Sequence, residues 1–510
     1  MQGSVAHPTM ESTTQEIEQQ GVYHRSVQSG KWFMLSVFSQ KAINMVTFFI
    51  LARILMPSDY GIMAIVIIVV GFLDQLTTPM FGDALIQKKE SIEPYLDPTW
   101  TLDILRYVAI SLILCIAAGP ITGFFKIDLR YLTLIRLSGL MLLVPTLSNI
   151  RVTYLFKELD FRKIFLRDVF AQLTYATAAI SVAMFVSPTV WALFAGYMAM
   201  YGIGIFVSYA LYPAWPRLSF RFGLLRKLVG YSKWVYGQRL VDYVLSYVDR
   251  VVIGRVLDTT QLGFYSKAKD LSLMATGILS SLADKVAFPA YSKIQDEMGK
   301  IRNGFSKSLD VLSLSAVPFS LLLALEGGSI VSILLGEKWL PLVVPLKIFS
   351  FGAIFYGIVN VTRPILAAIG RPDLNFKLNL MQAFVGVPLM VFGSWAYGTN
   401  GLAVAIVIMW FLMMLFVAWK ARPIFLLGKS AFVPILAATV SASLAVFVVA
   451  IVLRDPIHAM RNTAADLAYL CGLGILYFAI IRAVGIRLKA GPWMTFRSVM
   501  KELHIPIWRI

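Results

Sequence analysis

Residues 31–61 read KWFMLSVFSQKAINMVTFFILARILMPSDYG, and residues 233–263 read KWVYGQRLVDYVLSYVDRVVIGRVLDTTQLG. Laid one above the other, Lys31-Trp32, Val46, Arg53, Leu55 and Gly61 meet Lys233-Trp234, Val248, Arg255, Leu257 and Gly263, each pair 202 positions apart with no gap. Tyr60 against Leu262 is a mismatch, but the uniform offset across a helix and its turn makes chance a poor explanation. Each copy is a long, mostly apolar helix closed by a short turn. Duplication of such a unit inside a many-helix membrane chain marks a transporter built from two related halves.

Composition places the rest of the chain in a bilayer as well. Of 510 residues, 58% are hydrophobic and 15% charged, with mean hydropathy +0.73. Soluble domains carry about 25% charged residues. Apolar runs near the roughly 20 residues that span a hydrocarbon core recur from residue 33 to residue 483. Fourteen crossings are expected, among them 132–154, 230–254, 263–284, 342–367, 376–396, 400–419 and 464–483. The expected fold class is therefore an all-α polytopic membrane protein with two pseudo-symmetric six-helix lobes and two extra C-terminal helices. The lobes take residues 29–212 and 229–420, a basic cytoplasmic linker spans 213–228, and the extra helices occupy 421–484. A polar N-terminus at 1–28 and a basic tail at 485–510 flank them. The loops left over are too short for a soluble catalytic module.

The formal net charge of +18 raises nucleic acid as a partner, and its distribution argues against one. With the N-terminus inside, Lys and Arg fall in inside loops about four times as often as in outside loops, the positive-inside bias. The excess is topology, and it sets both termini in the cytoplasm. No signal-peptide pattern precedes the first apolar run. In the tail, Arg487, Lys489, Arg497, Lys501 and Arg509 alternate with Trp493, Phe496, Ile505 and Trp508. That mixture suits an anionic leaflet surface, with a solvated tail as the alternative.

Covalent and metal chemistry find no support in the residue pattern. Cys115 and Cys471 lie far apart in apolar runs, and His7, His24, His458 and His504 show no ligand spacing. There is no GxxxxGK[ST] loop for nucleotide phosphates. No cofactor is expected beyond a coupling Na+ or H+, with the membrane potential or the substrate's own gradient as other energy sources.

Charges inside the apolar runs carry the functional signal. Each costs about 2.5–3.5 kcal/mol on insertion scales, so such groups face protein or water and mark pathways. The substrate-binding candidates are Lys41, Arg136, Arg151, Arg239, Arg250 and Lys267; the ion-coupling candidates are Asp74, Asp242 and Asp249. Arg239, Asp242, Ser246, Asp249 and Arg250 form a polar stripe on the 230–254 helix, which lipid does not tolerate. Asp249 and Arg250 diverge by about 100° and are poorly placed to pair with each other. Asp103 and Arg106, at i and i+3, are placed to neutralise one another. Cations outnumber acids, so a cavity lined by these groups favours an anion such as a phosphate or an acidic sugar.

Two segments carry a family resemblance. Residues 50–89, ILARILMPSDYGIMAIVIIVVGFLDQLTTPMFGDALIQKK, and residues 229–268, VGYSKWVYGQRLVDYVLSYVDRVVIGRVLDTTQLGFYSKA, resemble the polysaccharide transporter (Wzx-type flippase) family of the multidrug/oligosaccharidyl-lipid/polysaccharide superfamily. ILAAIGRP at 365–372 has the same flavour, and the likeness extends over about residues 25–480. The resemblance implies alternating access of two lobes in the bacterial inner membrane. Its implied cargo is an undecaprenyl-pyrophosphate-linked oligosaccharide repeat unit for exopolysaccharide or other surface-polysaccharide synthesis. Membrane lipids, a polysaccharide polymerase and chain-length proteins are the implied partners. The rival readings are a cation-coupled multidrug exporter of the same superfamily, which would favour acidic cavity residues, and a membrane glycosyl polymerase, which would need a large outside loop.

Overall fold

The computed structural model describes residues 34–78, 90–158, 160–225, 232–277, 294–420, 429–459, 463–489 and 491–502, with residues 32, 81, 85, 88, 291 and 292 between them. Every regular element among these is helical. In chain order they are α1 (Met34–Ile54), α2 (Pro57–Thr77), α3 (Glu93–Phe124), α4 (Leu132–Leu137), α5 (Leu140–Thr146), α6 (Thr153–Lys157), α7 (Phe161–Phe185), α8 (Val190–Leu211), α9 (Ser232–Val256), α10 (Thr259–Ser272), α11 (Met298–Leu334), α12 (Val343–Ala368), α13 (Pro372–Met381), α14 (Val387–Lys420), α15 (Lys429–Ala459), α16 (Thr463–Leu488) and α17 (Pro492–Glu502). Proline and Asp set several starts. Pro57 and Pro372 open α2 and α13 where no intrahelical N–H is needed. Asp160 and Asp258 cap α7 and α10 by accepting the backbone N–H groups of Lys163 at 3.3 Å and Gln261 at 2.8 Å.

Ten segments among the described residues are long and apolar enough to cross a bilayer. The polar stripe of α9 keeps it out of that set, and the expected crossing at 263–284 lies partly outside the described residues. Large apolar side chains stand exposed on these helices, including Ile116 at 83%, Phe185 at 82% and Trp395 at 78%. Water would not tolerate that pattern over so many helices, and lipid requires it.

One expected crossing is broken. The run 132–154 divides into α4, α5, a 3-10 turn at Ile150–Val152 and α6. Asn149 diverts the chain: its side chain accepts the Arg151 N–H at 3.0 Å and donates to the carbonyls of Tyr212 and Ala214 at 2.7 Å. The membrane segment there ends at Thr146, so Arg151 lies beyond it rather than inside a crossing as expected.

The continuous run from 387 to 420 is two helices. Its backbone leaves helical geometry at Tyr397 and Gly398, where Gly398 takes φ +60°. Along a straight helix Gly393 and Gly401 would stand about 12 Å apart. Instead a Cβ added to Gly401 would meet the Gly393 carbonyl oxygen at 2.1 Å. The chain therefore doubles back at Gly398, where a residue with a side chain would be strained, as the separate predicted runs 376–396 and 400–419 require.

The molecule divides into two compact units. The first draws its described residues from Met1–Ile54, Val69–Gly123 and Asp128–Leu240, and the second from Leu55–Ile68, Phe124–Ile127 and Val241–Ile510. Within the first, Gly196 of α8 seats against Ala179 and Tyr175 of α7. Within the second, Ala438, Ala442, Val446 and Ala450 form a buried i, i+4 stripe on α15. Its last three join Tyr469, Leu473, Tyr477 and Ile481 of α16 and Val317 of α11 in one core. Small residues let membrane helices approach closely enough for dispersion to hold them. The tail composition suited a leaflet surface or solvent, but α17 packs on the protein: Trp493 joins that core, and the Thr495 hydroxyl donates to Asp310 of α11 at 2.6 Å. Ile505, Trp508 and Arg509 lie outside the described residues.

The duplicated turns meet each other inside the second unit. A Cβ built on Gly61 would strike the carbonyl oxygen of Thr259 at 1.7 Å, and one on Gly263 would strike that of Pro57 at 1.9 Å. Pro57 and Thr259 are themselves 202 positions apart. The contact is thus reciprocal: residue for residue, each repeat does to the other what is done to it. No side chain fits at either glycine.

Candidate functional site

The polar stripe of α9 divides among three sets of partners. Leu257 and Asp258 join α9 to α10, which folds back alongside it. Asp249, 2% exposed, accepts the Tyr265 hydroxyl and the Lys269 ammonium, both at 2.5 Å. Arg250, on the neighbouring face, turns to Asp270 at 2.6 Å. Lys267 approaches the same carboxylate at 3.8 Å and lies over the Tyr60 ring at 4.9 Å from its centre. Two acids and three cations thus interlock where α9 and α10 meet. Asp249 is buried and the three cations are largely covered, each with an oppositely charged partner, whereas Asp270 is exposed.

Two turns before Asp249 on α9, Asp242 accepts the side-chain amide of Asn379 at 2.6 Å. The other end of that amide accepts from the Arg363 guanidinium at 3.3 Å. A π-helical turn at Gln382–Gly386 follows α13. It aims the Gln382 amide at the Leu245 carbonyl, 2.8 Å away on α9. Such turns are frequent at functional positions in helices. These groups border a cavity of about 200 Å³ within the second unit, lined also by Ser246, Lys269, Asn360, Tyr356 and Trp410. The cavity is polar along α9 and α13, aromatic at Trp410 of α14, and mixed along α12, which gives Tyr356, Asn360 and Arg363.

The remaining expected site residues belong to the first unit. Asp74 accepts the hydroxyls of Tyr107 and Thr78, each at 2.9 Å, and lies 3.5 Å from Arg106. Arg106 also pairs with Asp103 at 3.2 Å, so the expected i, i+3 pair is a triad. Arg151 pairs with Glu93 at 2.5 Å beside Tyr154. Burial, with the Glu93 carboxylate next to it, pushes the Tyr154 phenol up to about 12. Lys41, Arg136 and Arg239 are exposed. The structure therefore brings Arg250, Lys267 and Asp249 into one network, sets Asp242 in a cavity nearby, and joins none of Lys41, Arg136 or Arg151 to Asp74.

Sequence reading passed over Arg363, Asn360, Asn379, Gln382, Tyr356 and Trp410. A signal was present, since Asn360 with Arg363 and Asn379 with Gln382 each repeat at i, i+3 inside apolar runs. Nothing in the spacing says that those two faces meet Asp242.

Comparison with known proteins agrees with this architecture. Residues 50–345 match the family described as polysaccharide biosynthesis protein. The lipopolysaccharide biosynthesis protein WzxC of Escherichia coli is 24% identical over 74% of this chain and 77% of its own. The teichuronic acid biosynthesis protein TuaB of Bacillus subtilis is 23% identical over 69% of this chain and 73% of its own. Among solved structures, the lipid II flippase MurJ in an inward closed conformation superposes with TM-score 0.68 at 16% identity, covering 89% of this chain and 99% of that one. A multidrug MATE transporter in an inward-facing conformation gives 0.55 at 13% identity, over 75% and 94%. With more than half of its length matched to one family, this chain belongs to the polysaccharide biosynthesis protein family.

Proposed function

We propose that this protein is a flippase that carries a polyprenyl-pyrophosphate-linked oligosaccharide repeat unit from the cytoplasmic to the outer leaflet of a bacterial inner membrane. The observation behind this reading is the interlocked charge network of α9 and α10 beside a polar cavity, held in helices that otherwise face lipid. A headgroup with phosphates and sugars crosses a bilayer only where protein replaces its water. Relatives named for lipopolysaccharide and teichuronic acid synthesis, and a fold shared with a lipid II flippase, support the cargo class. In this reading fourteen crossings form two six-helix lobes that rock about the bound headgroup, with both termini cytoplasmic. The in-helix cations Arg239, Arg250 and Lys267 draw the pyrophosphate. Asp74, Asp242 and Asp249 are the carboxylates on which an Na+ or H+ gradient would act.

The test uses proteoliposomes loaded with a fluorescent polyprenyl-pyrophosphate oligosaccharide. Flipping is scored by quencher access, for the native chain and for Arg239→Ala with Arg250→Ala. Transport by the native chain and its loss in the variant support the reading. Equal transport by both removes these cations from the mechanism. Efflux of a cationic dye in place of lipid flipping would overturn the function in favour of drug export.

A further inference from the structure

We infer that the cavity between α9, α12, α13 and α14 is a binding subsite for a single acidic sugar, one bearing a carboxylate. The assignment of that sugar to the cargo rests on the flippase reading; its binding does not.

Size comes first. A cavity of about 200 Å³ lies below the roughly 300–1,000 Å³ of drug-sized sites, so it is matched in size to one pyranose ring, with any neighbouring sugar lying outside it. Its walls are those a sugar needs. Trp410 and Tyr356 stand with ring centres 4.8 Å apart at 45° and give a mixed aromatic wall, against which the C–H face of a pyranose packs. Asn360, one turn after Tyr356 on α12, and Gln382 add side-chain amides to the lining, groups that can donate to or accept from hydroxyls.

Charge then separates acidic from neutral sugars. Asn379 is interposed between Asp242 and Arg363, its amide nitrogen on one and its oxygen on the other. The cavity therefore has an acceptor end and a donor end held apart by one side chain. A sugar hydroxyl donates to Asp242, as hydroxyls do to carboxylates. A sugar carboxylate goes to Arg363, whose planar fork of donors matches it. Lys269 adds a second cation on the wall, with Asp249 holding it in place. A neutral sugar offers the Arg363 fork no charge opposite to its own.

The cluster also belongs to the second repeat alone. Counting back 202 positions, Asp242, Asp249, Arg250, Lys267, Lys269 and Asp270 correspond to Gln40, Thr47, Phe48, Ile65, Ile67 and Ile68. A pair of duplicated halves has therefore acquired these charges in one half only. Of the six, Asp242 and Lys269 line the cavity, and their counterparts Gln40 and Ile67 carry no charge, so this pair of lining charges belongs to one half only.

Saturation-transfer difference NMR on the full chain in lipid nanodiscs tests the assignment with two probes, cellobiouronic acid and cellobiose. The native chain should give a strong signal for the acid and a weak one for the neutral disaccharide. Arg363→Gln should lower the ratio of the two signals about tenfold, whereas Arg363→Lys, which keeps the charge, should retain the preference for the acid. The ratio is read within each preparation, so a loss of folded protein does not mimic the effect, and the lysine variant keeps a readout if glutamine unfolds the chain. Equal signals from the two probes, or a ratio unchanged by Arg363→Gln, would overturn the subsite. Acid-selective binding without any lipid flipping in proteoliposomes would uphold the subsite and overturn the flippase reading.

Discussion

Replacing Gly61 by alanine probes the contact between the duplicated turns most directly. The added methyl would lie 1.7 Å from the Thr259 carbonyl oxygen and 3.1 Å from the Gly263 nitrogen. Both atoms are backbone, so no side-chain rotation relieves the overlap. The start of α2 must withdraw from α10 by at least about 1.7 Å to restore ordinary contact distance. Overpacking of this kind costs about 1–3 kcal/mol, and backbone against backbone belongs at the upper end. Gly263→Ala faces the same obstacle from the other side, at 1.9 Å from the Pro57 carbonyl. Because one separation accommodates both methyls, the double variant should lose clearly less than the sum of the singles, with a coupling of about 1–3 kcal/mol. Thermal unfolding midpoints of the four purified forms in one detergent measure this cycle. A Gly61→Ala protein as stable as the native chain, or strictly additive losses, would refute the reciprocal packing.

Three further outcomes are expected. Asp249→Ala strands Lys269 and Tyr265 at the α9–α10 contact, and should cost about 3–5 kcal/mol, with part of the stability recovered when Lys269→Met is added; no recovery would mean that the pair is not the cause. Arg151→Ala breaks an ion pair whose Glu93 side chain is 49% exposed, so thermal melts should shift by no more than about 1 kcal/mol in stability, and a large drop would show that the pair is structural. Thr495→Val removes the donor to the buried Asp310 carboxylate, which should cost about 1–3 kcal/mol and make the end of the chain more open to limited proteolysis; unchanged cleavage would show that α17 is held by Trp493 without this bond.

Much of this protein was determined by the sequence alone, because its governing physics is one-dimensional. Apolar length decides whether a helix crosses lipid, and the runs at 342–367 and 464–483 return as α12 and α16. The duplication was legible because the backbone constraint at Gly61 and Gly263 leaves no alternative residue. Local chemistry was legible as well: Asp249 and Arg250, adjacent in sequence, do take different partners. Tertiary structure alone decided which charges come together. Arg151 looked like an intramembrane cation until Asn149, bonded to residues more than 60 positions away, ended the crossing before it. Arg363 and Asn379 acquire meaning only beside Asp242, more than 120 positions distant in the chain. Hydropathy reports the cost of placing each residue in lipid. It carries no information about which polar faces meet to offset that cost, since helix packing sets those distances.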